Sequence, residues 1–270
     1  MTKKEQSLLE PLVQINRKHR LNMLYFQLRS LIPPRNKNCK VLIYGQGRTG
    51  STLLENLICS TGYFKERGEL IRHYRPIISD PVRFIRGYSR HYYKENFIFH
   101  AKIYQLKDRG FLMMKPKDFL TAMEKEGWKI IFIYRNNLLR QAVSKQIAIQ
   151  RNIYHHKKDV ILNKPFKIDT EMLENEILLR QQFYKDETDD LKDLPHLEIN
   201  YEDDLLDSSL HQKTINRVLD FIGLPRREAS TLLQRTSKKG LSDLISNYEE
   251  VVDVLDKNGW SYFIEDKAYA

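Results

Sequence analysis

Cysteine is nearly absent from this chain, which has two, Cys39 and Cys59, in 270 residues. That excludes a disulfide-stapled framework and leaves too few thiolates for a structural zinc site. Both cysteines read as reduced, buried thiols, and the chain as one suited to a reducing compartment, cytoplasmic by expectation. Long apolar runs are missing too. The longest, around Val41–Tyr44 and Ile130–Tyr134, are far too short to span a bilayer. The charged start Met1-Thr2-Lys3-Lys4-Glu5-Gln6 is not followed by an apolar stretch of signal-peptide length. There is no glycine-spaced aromatic RNA-binding signature, no zinc-finger spacing and no arginine-rich tail, which argues against a nucleic-acid partner. No metal-ligand cluster, internal repeat or low-complexity tract is visible.

What is present points to a globular domain. Hydrophobic residues make up 41% and charged residues 30%, the balance of a folded domain rather than a disordered chain. The length suits one large α/β domain, and a homodimer is compatible with it. Lysine plus arginine (45) exceeds aspartate plus glutamate (35), for a net charge of +10. Such a surplus fits nucleic acid, an anionic membrane surface or a small polyanion held in a cleft, and charge alone does not choose among them.

Residues 5 to 31 carry Leu8, Leu9, Leu12, Val13, Ile15, Leu21, Leu24, Tyr25 and Leu28 at mostly helical spacing, with a break suggested near Lys18-His19-Arg20. Pro33-Pro34 ends the pattern. Residues 1–35 are therefore read as a helical arm lying on a main domain, 36–270. Lys40–Tyr44 and Trp128–Tyr134 read as buried strands, and His196–Tyr201 as a third. Helices are expected from Gly50 (with Leu53, Leu54, Leu57 and Ile58 inward), over Pro116–Glu126, over Leu138–Arg151, over 170–188, and through most of the remainder to Leu255. Residues 62–96 read as short helices and loops, and Phe97–Leu106 as partly buried. Residues 154–168, with His155 and His156, read as a loop of lid length. Strands alternating with helices predict an α/β fold, a P-loop-type central parallel sheet flanked by helices on both faces. Ligands in such sheets bind beyond the carboxyl ends of the strands, where Gly45, Arg135 and Glu202 all fall.

The loop Gly45-Gln46-Gly47-Arg48-Thr49-Gly50-Ser51-Thr52 fits the phosphate-binding pattern G-x-x-x-x-G-K-[ST] except that serine stands in place of lysine. Glycines let backbone amides turn inward as an anion nest, and the following helix adds its dipole. Thr49, Ser51 and Thr52 supply hydroxyls, and Arg48 a fixed charge able to contact two oxygens at once. The loop suits an anion but suits magnesium triphosphate poorly, because the lysine that reaches the β- and γ-phosphates is missing.

Gly47 to Leu54 resembles the 5′-phosphosulfate loop of sulfotransferases, most closely the arginine-threonine-glycine-serine form of the bacterial carbohydrate branch that includes the nodulation-factor enzymes. Arg135, at a strand end, and Ser144, nine residues later on a helix, resemble that family's 3′-phosphate pair. Ile199-Asn200-Tyr201-Glu202-Asp203 is similar to its strand-ending tyrosine-glutamate-aspartate, and Lys239–Glu250 to its C-terminal part. The resemblance does not reach the first 35 residues. The family's glycine-x-x-glycine-x-x-lysine closing motif is not legible, although Lys238 and Lys239 stand near its place.

The resemblance implies 3′-phosphoadenosine 5′-phosphosulfate (PAPS) as co-substrate and adenosine 3′,5′-bisphosphate as product. It implies Gly47, Arg48, Thr49, Gly50, Ser51, Thr52, Arg135, Ser144 and Tyr201 as binding residues, with Tyr201 near the adenine. Arg48 is also expected to act in catalysis, stabilising with the loop amides the charge of transfer and the departing 5′-phosphate. Glu69, in Arg67-Gly68-Glu69-Leu70, matches the family's glycine-glutamate base, with His73 and His100 as alternatives and Lys102 as an aid at the leaving group. The acceptor is expected to be a small molecule or a glycan, with a sugar hydroxyl favoured. No metal is needed, since sulfuryl transfer, like phosphoryl transfer, is mostly positioning and electrostatics. Two other readings stay open, a P-loop kinase with a displaced cation and a basic adaptor for nucleic acid or anionic lipid.

Overall fold

The computed structural model describes residues 17–33, 38–74, 78, 80–107, 114–151, 165–233 and 240–264. In chain order the main elements are α1 (Arg17–Arg29), β1 (Lys40–Gly45), α2 (Ser51–Ser60), α3 (Leu70–Tyr74), α4 (Pro81–His91), β2 (Phe97–Lys102), α5 (Ile103–Leu106) and α6 (Pro116–Lys125). They are followed by β3 (Lys129–Tyr134), α7 (Leu138–Arg151), α8 (Thr170–Leu191), β4 (His196–Asn200), α9 (His211–Ile222), α10 (Leu241–Leu244) and α11 (Tyr248–Lys257).

The strands lie in the order β2-β1-β3-β4, and every pairing is parallel. Alternation along the strands divides the core. Leu42, Tyr44, Phe97, Phe99, Ile130 and Phe132 face a largely aromatic layer under α4 and α6. Val41, Ile43, Ile98, Ile131, Ile133 and Ile199 face an aliphatic layer under α2 and α9. Both faces are covered, so the strands read as continuous apolar runs, as expected for a parallel sheet. A third cluster joins α7 and α8 to α11 and Trp260. The chain runs from β1 out to β2, then returns past β1 to β3. The switch point therefore opens between the carboxyl ends of β1 and β3.

The expected strands, α2, α6, α7 and α8 are all found, the last extending to Leu191. Three regions differ from the sequence reading. Phe97–Leu106 contains a full strand, β2, and its short helix α5. Within 62–96 stands an eleven-residue helix, α4, started by Pro81 and capped by Asp80, whose side chain accepts from Arg83 N at 2.8 Å. Its apolar face, Val82, Phe84 and Ile85, is hidden among arginines in the sequence. After α9, residues 224–233 are irregular rather than helical.

Helix α1 runs unbroken through Lys18-His19-Arg20. It seats on α4 through buried Phe26, and the contact is close because Gly87 has no side chain. A methyl group there would stand 1.6 Å from the Phe26 carbonyl oxygen. Leu21, Leu24 and Leu28 are exposed, whereas Tyr25, though also exposed, sets its hydroxyl 2.9 Å from His91 Nδ1 at the end of α4.

Candidate active site

The loop after β1 is shaped by backbone that few residues tolerate. Gly45 has φ +154°, and a methyl group on it would lie 2.1 Å from the Ile133 carbonyl oxygen on β3. Gly50 has φ +89°, and its missing side chain leaves room for the Tyr201 ring, 2.7 Å from where a methyl would stand. Between them Arg48 has φ +67°, the one non-glycine residue with positive φ among the described residues. Such a conformation costs about 1–3 kcal/mol and persists where its surroundings enforce it, often at ligand sites. The Thr49 hydroxyl donates to the Gln46 carbonyl at 2.9 Å and locks the turn, so it serves the loop first. Ser51 and Thr52 open α2, whose N-cap is Gly50, without a side-chain cap, and whose first turn holds no acid. The free amides of that turn therefore make an anion site.

Three guanidinium groups gather at this loop. Arg48 donates to Ser144 Oγ from Nε at 3.0 Å and from a terminal nitrogen at 2.8 Å. Arg135 reaches the Arg48 carbonyl at 3.4 Å, pairs with Glu202 at 3.3 Å, and lies over the Tyr201 ring at 4.6 Å. Arg180, on α8, donates to the Gly47 carbonyl at 3.2 Å and pairs with Glu176 at 2.9 Å. Burial, followed by repulsion from Arg135 and Arg180, pushes the Arg48 guanidinium down to about 10. It stays charged at neutral pH, in surroundings that an anion would relieve. Glu202 shapes the β3–α7 turn by accepting from the amides of Asn136 (2.9 Å) and Asn137 (3.4 Å).

On the other side of Gly47 lies a second set. A methyl on Gly47 would stand 2.6 Å from the Tyr104 hydroxyl and 3.5 Å from Lys102 Nζ. Lys102, the last residue of β2, forms an ion pair with Glu69, whose other oxygen accepts from Gln105 Nε2 at 2.6 Å. Burial alone would raise the Glu69 carboxyl, but Lys102, helped by His100 and Arg72, more than offsets it and holds the group below its ordinary value.

The segment bearing Glu69 is fixed from α2. Glu55 Oε1 accepts from the amides of Arg67 (2.9 Å) and Gly68 (3.1 Å), and His100 N donates to the Gly68 carbonyl at 2.9 Å. His100 Nε2 lies 2.8 Å from Glu55 Oε2, and both residues are buried. His100 thus stands behind the Glu69 segment. Burial pushes the Glu55 carboxyl up, but His100 and the two amides hold it below its ordinary value.

The structure thus brings Gly47, Arg48, Thr49, Gly50, Ser51, Arg135, Ser144 and Tyr201 together at the loop after β1, with Thr52 on the first turn of α2 and Glu69 with Lys102 beside Gly47. His73 lies on α3, but its side chain is outside the described residues. So are the loop with His155 and His156 up to residue 164, and Lys238 and Lys239. The sequence reading missed Arg180 and Gln141, whose Nε2 donates to the Gly47 carbonyl at 2.7 Å. For Arg180 a signal existed, since it stands on the same buried face of α8 as Leu173 and Ile177. A charge there calls for a partner.

A separate cavity of about 570 Å³ opens at the amino ends of the strands, lined among others by Arg29, Lys40, Arg86, Arg90 and Glu126. It lies at the opposite end of the sheet from the loop after β1 and shares no residue with it. Its cations are engaged internally: Arg86 and Lys40 with Glu126, Arg90 with the Ile32 carbonyl at 2.7 Å.

No protein-family model matches the sequence, and no curated protein does. Among solved structures, the chain is similar to mouse sulfotransferase SULT7A1 complexed with PAP, with 10% identity over 96% of this chain and 99% of that one, at a TM-score of 0.47. It is also similar to the sulfotransferase domain of the olefin synthase from Synechococcus PCC 7002, with 17% identity over 80% and 85% of the two chains, at a TM-score of 0.42. The functional reading rests on this chain's own residues.

Proposed function

We propose that this protein is a sulfotransferase that moves a sulfuryl group from PAPS to an acceptor hydroxyl. The observation that carries this reading is the crowding of Arg48, Arg135 and Arg180 at a helix-starting loop, with a lysine–glutamate pair on the far side of Gly47. A nucleotide with anionic groups at both its 3′ and 5′ ends fits that charge distribution. The motif resemblance from Gly47 to Asp203 supports the same choice.

PAPS supplies the activated sulfuryl group. Arg135 and Ser144 hold the 3′-phosphate, and Arg48, beside Ser144, stabilises charge on the transferring sulfuryl group and the departing 5′-phosphate together with the loop amides. The loop amides of Gly47 to Thr52 hold the 5′ end, and the Tyr201 ring against Gly50 borders the adenine. Lys102, above Gly47, stabilises charge on the departing phosphate oxygen. Glu69 takes the acceptor's proton, because its paired carboxylate stays ionised at neutral pH. Arg180 and Gln141 hold the Gly47 carbonyl and so keep the loop amides turned toward the ligand. We read residues 36–270 as one catalytic domain with residues 1–35 as its arm, acting in the cytoplasm on a carbohydrate or glycolipid hydroxyl, in the manner of the nodulation-factor-like branch.

The test is a binding titration followed by transfer of labelled sulfate. Tight binding of adenosine 3′,5′-bisphosphate without magnesium, and transfer from PAPS to a glycan, are the expected results. A preference for magnesium-ATP would replace this reading with a kinase.

A further inference from the structure

Helix α1 has two apolar sides, and among the described residues only one of them is packed. Phe26 is buried against α4, and Gly87 brings that contact close. On the opposite side Leu21, Leu24 and Leu28 follow one another at helical spacing, and Leu31 and Ile32 continue the stripe past the helix end. All five are exposed, Leu28 by 65% and Leu31 by 67%. Single exposed leucines are ordinary, but an aligned row of them marks an interaction surface. The row is bordered by exposed Arg17, Lys18 and Arg20, and the helix contains no aspartate or glutamate.

We propose that this face of α1 docks on an anionic phospholipid surface, lying flat in the headgroup region. Charge decides among the occupants. A second copy of this helix would cover the leucines but offer the cations no counter-charge, having no aspartate or glutamate, whereas anionic headgroups neutralise them while the acyl boundary accepts the leucines. Nucleic acid would use the cations and leave the leucine row in water. No described helix is long and apolar enough to cross a membrane, so the attachment is peripheral and reversible. The inference is independent of the sulfotransferase reading and does not involve the loop after β1.

The experiment is flotation of the full chain with vesicles of phosphatidylcholine alone and of phosphatidylcholine mixed with phosphatidylglycerol. Binding is expected only to the anionic vesicles. Leu24→Gln with Leu28→Gln, which leaves the charge unchanged, should weaken it on the order of tenfold or more. Arg17→Gln, Lys18→Gln and Arg20→Gln together should weaken it by roughly a hundredfold. Because all these side chains are exposed, the variants should keep the wild-type melting temperature. Failure of the full chain to bind anionic vesicles would overturn the proposal, as it would if another part of the molecule covers the row. Undiminished binding by the leucine variant would also overturn it, by assigning attachment to net charge alone. So would sedimentation showing a dimer that the leucine variant dissociates.

Discussion

The two ends of the central sheet each gather arginines and lysines, and they handle the charge in different ways. At the amino ends, Arg86 and Lys40 share Glu126, and Arg90 is held by backbone carbonyls. Burial lowers the Lys40 ammonium, but Glu126 acts against it. At the carboxyl ends the largest charge effect on Arg48 comes from other arginines, and the backbone beneath it is strained. Repulsion between cations acts at both ends, since Arg90 and Arg86 also lower Lys40. The difference lies at Arg48: Arg135 and Arg180 have the carboxylates of Glu202 and Glu176, whereas Arg48 meets the Ser144 hydroxyl from a positive-φ turn.

Substitutions can break this contrast. The largest expected effect belongs to Glu69→Gln, which should lower kcat by about 10²–10⁴ while sparing nucleotide binding, as for a lost general base. In the wild type, the acid limb of kcat/KM should fall below about pH 4.3, the ordinary glutamate value, because Lys102 holds Glu69 down. Full turnover by the variant would remove Glu69 from the mechanism. Arg48→Ala should cost about 10²–10³ in rate and weaken adenosine 3′,5′-bisphosphate binding, with the melting temperature unchanged or raised, since a buried repulsion is relieved.

Arg180→Met should act through stability as well as activity. It leaves the Gly47 carbonyl with Gln141 alone and Glu176 with Lys145, a loss of about 1–3 kcal/mol in urea unfolding.

Glu187 sharpens the contrast by pH. It sits fully buried behind the loop, and burial, working against the hydrogen bond from Gln46, pushes its carboxyl up to about 8. The folded state therefore binds this proton more tightly than the unfolded state. Its contribution to stability is complete below about pH 4.3 and is lost as pH rises through about 8. Glu187→Gln should flatten the fall in urea midpoint between about pH 6 and 8, and an unchanged slope would show the group to be ionised throughout. The smallest effect is expected at the other end of the sheet. Arg86→Ala should change stability by no more than about 1 kcal/mol and leave sulfate transfer intact.

How far the site was legible can be followed residue by residue. The loop, Arg135, Ser144 and Tyr201 each follow a strand whose apolar run is unmistakable, so their arrival at one edge could be expected. Lys102 was legible as a candidate without its strand, because β2 begins in an aromatic stretch that carries no clear period. Glu55 and Gln141 were not legible at all. A glutamate on an amphipathic helix reads as solvated until its neighbours are known, and here they are two amides and a histidine brought from distant segments. The same holds for α1, where nothing in the helical spacing singled out Phe26 as the residue that is buried.

The sequence by itself determined the parallel sheet and the glycine-rich turn between β1 and α2, because these depend on local patterns of apolar residues, glycine and hydroxyls. Tertiary structure alone decided that Arg48 turns toward Ser144, that Lys102 and Glu69 meet beside Gly47, and which face of α1 is left to solvent. Those outcomes depend on which cations and carboxylates are packed within reach of each other. In a buried site that proximity, more than residue type, governs charge and chemistry.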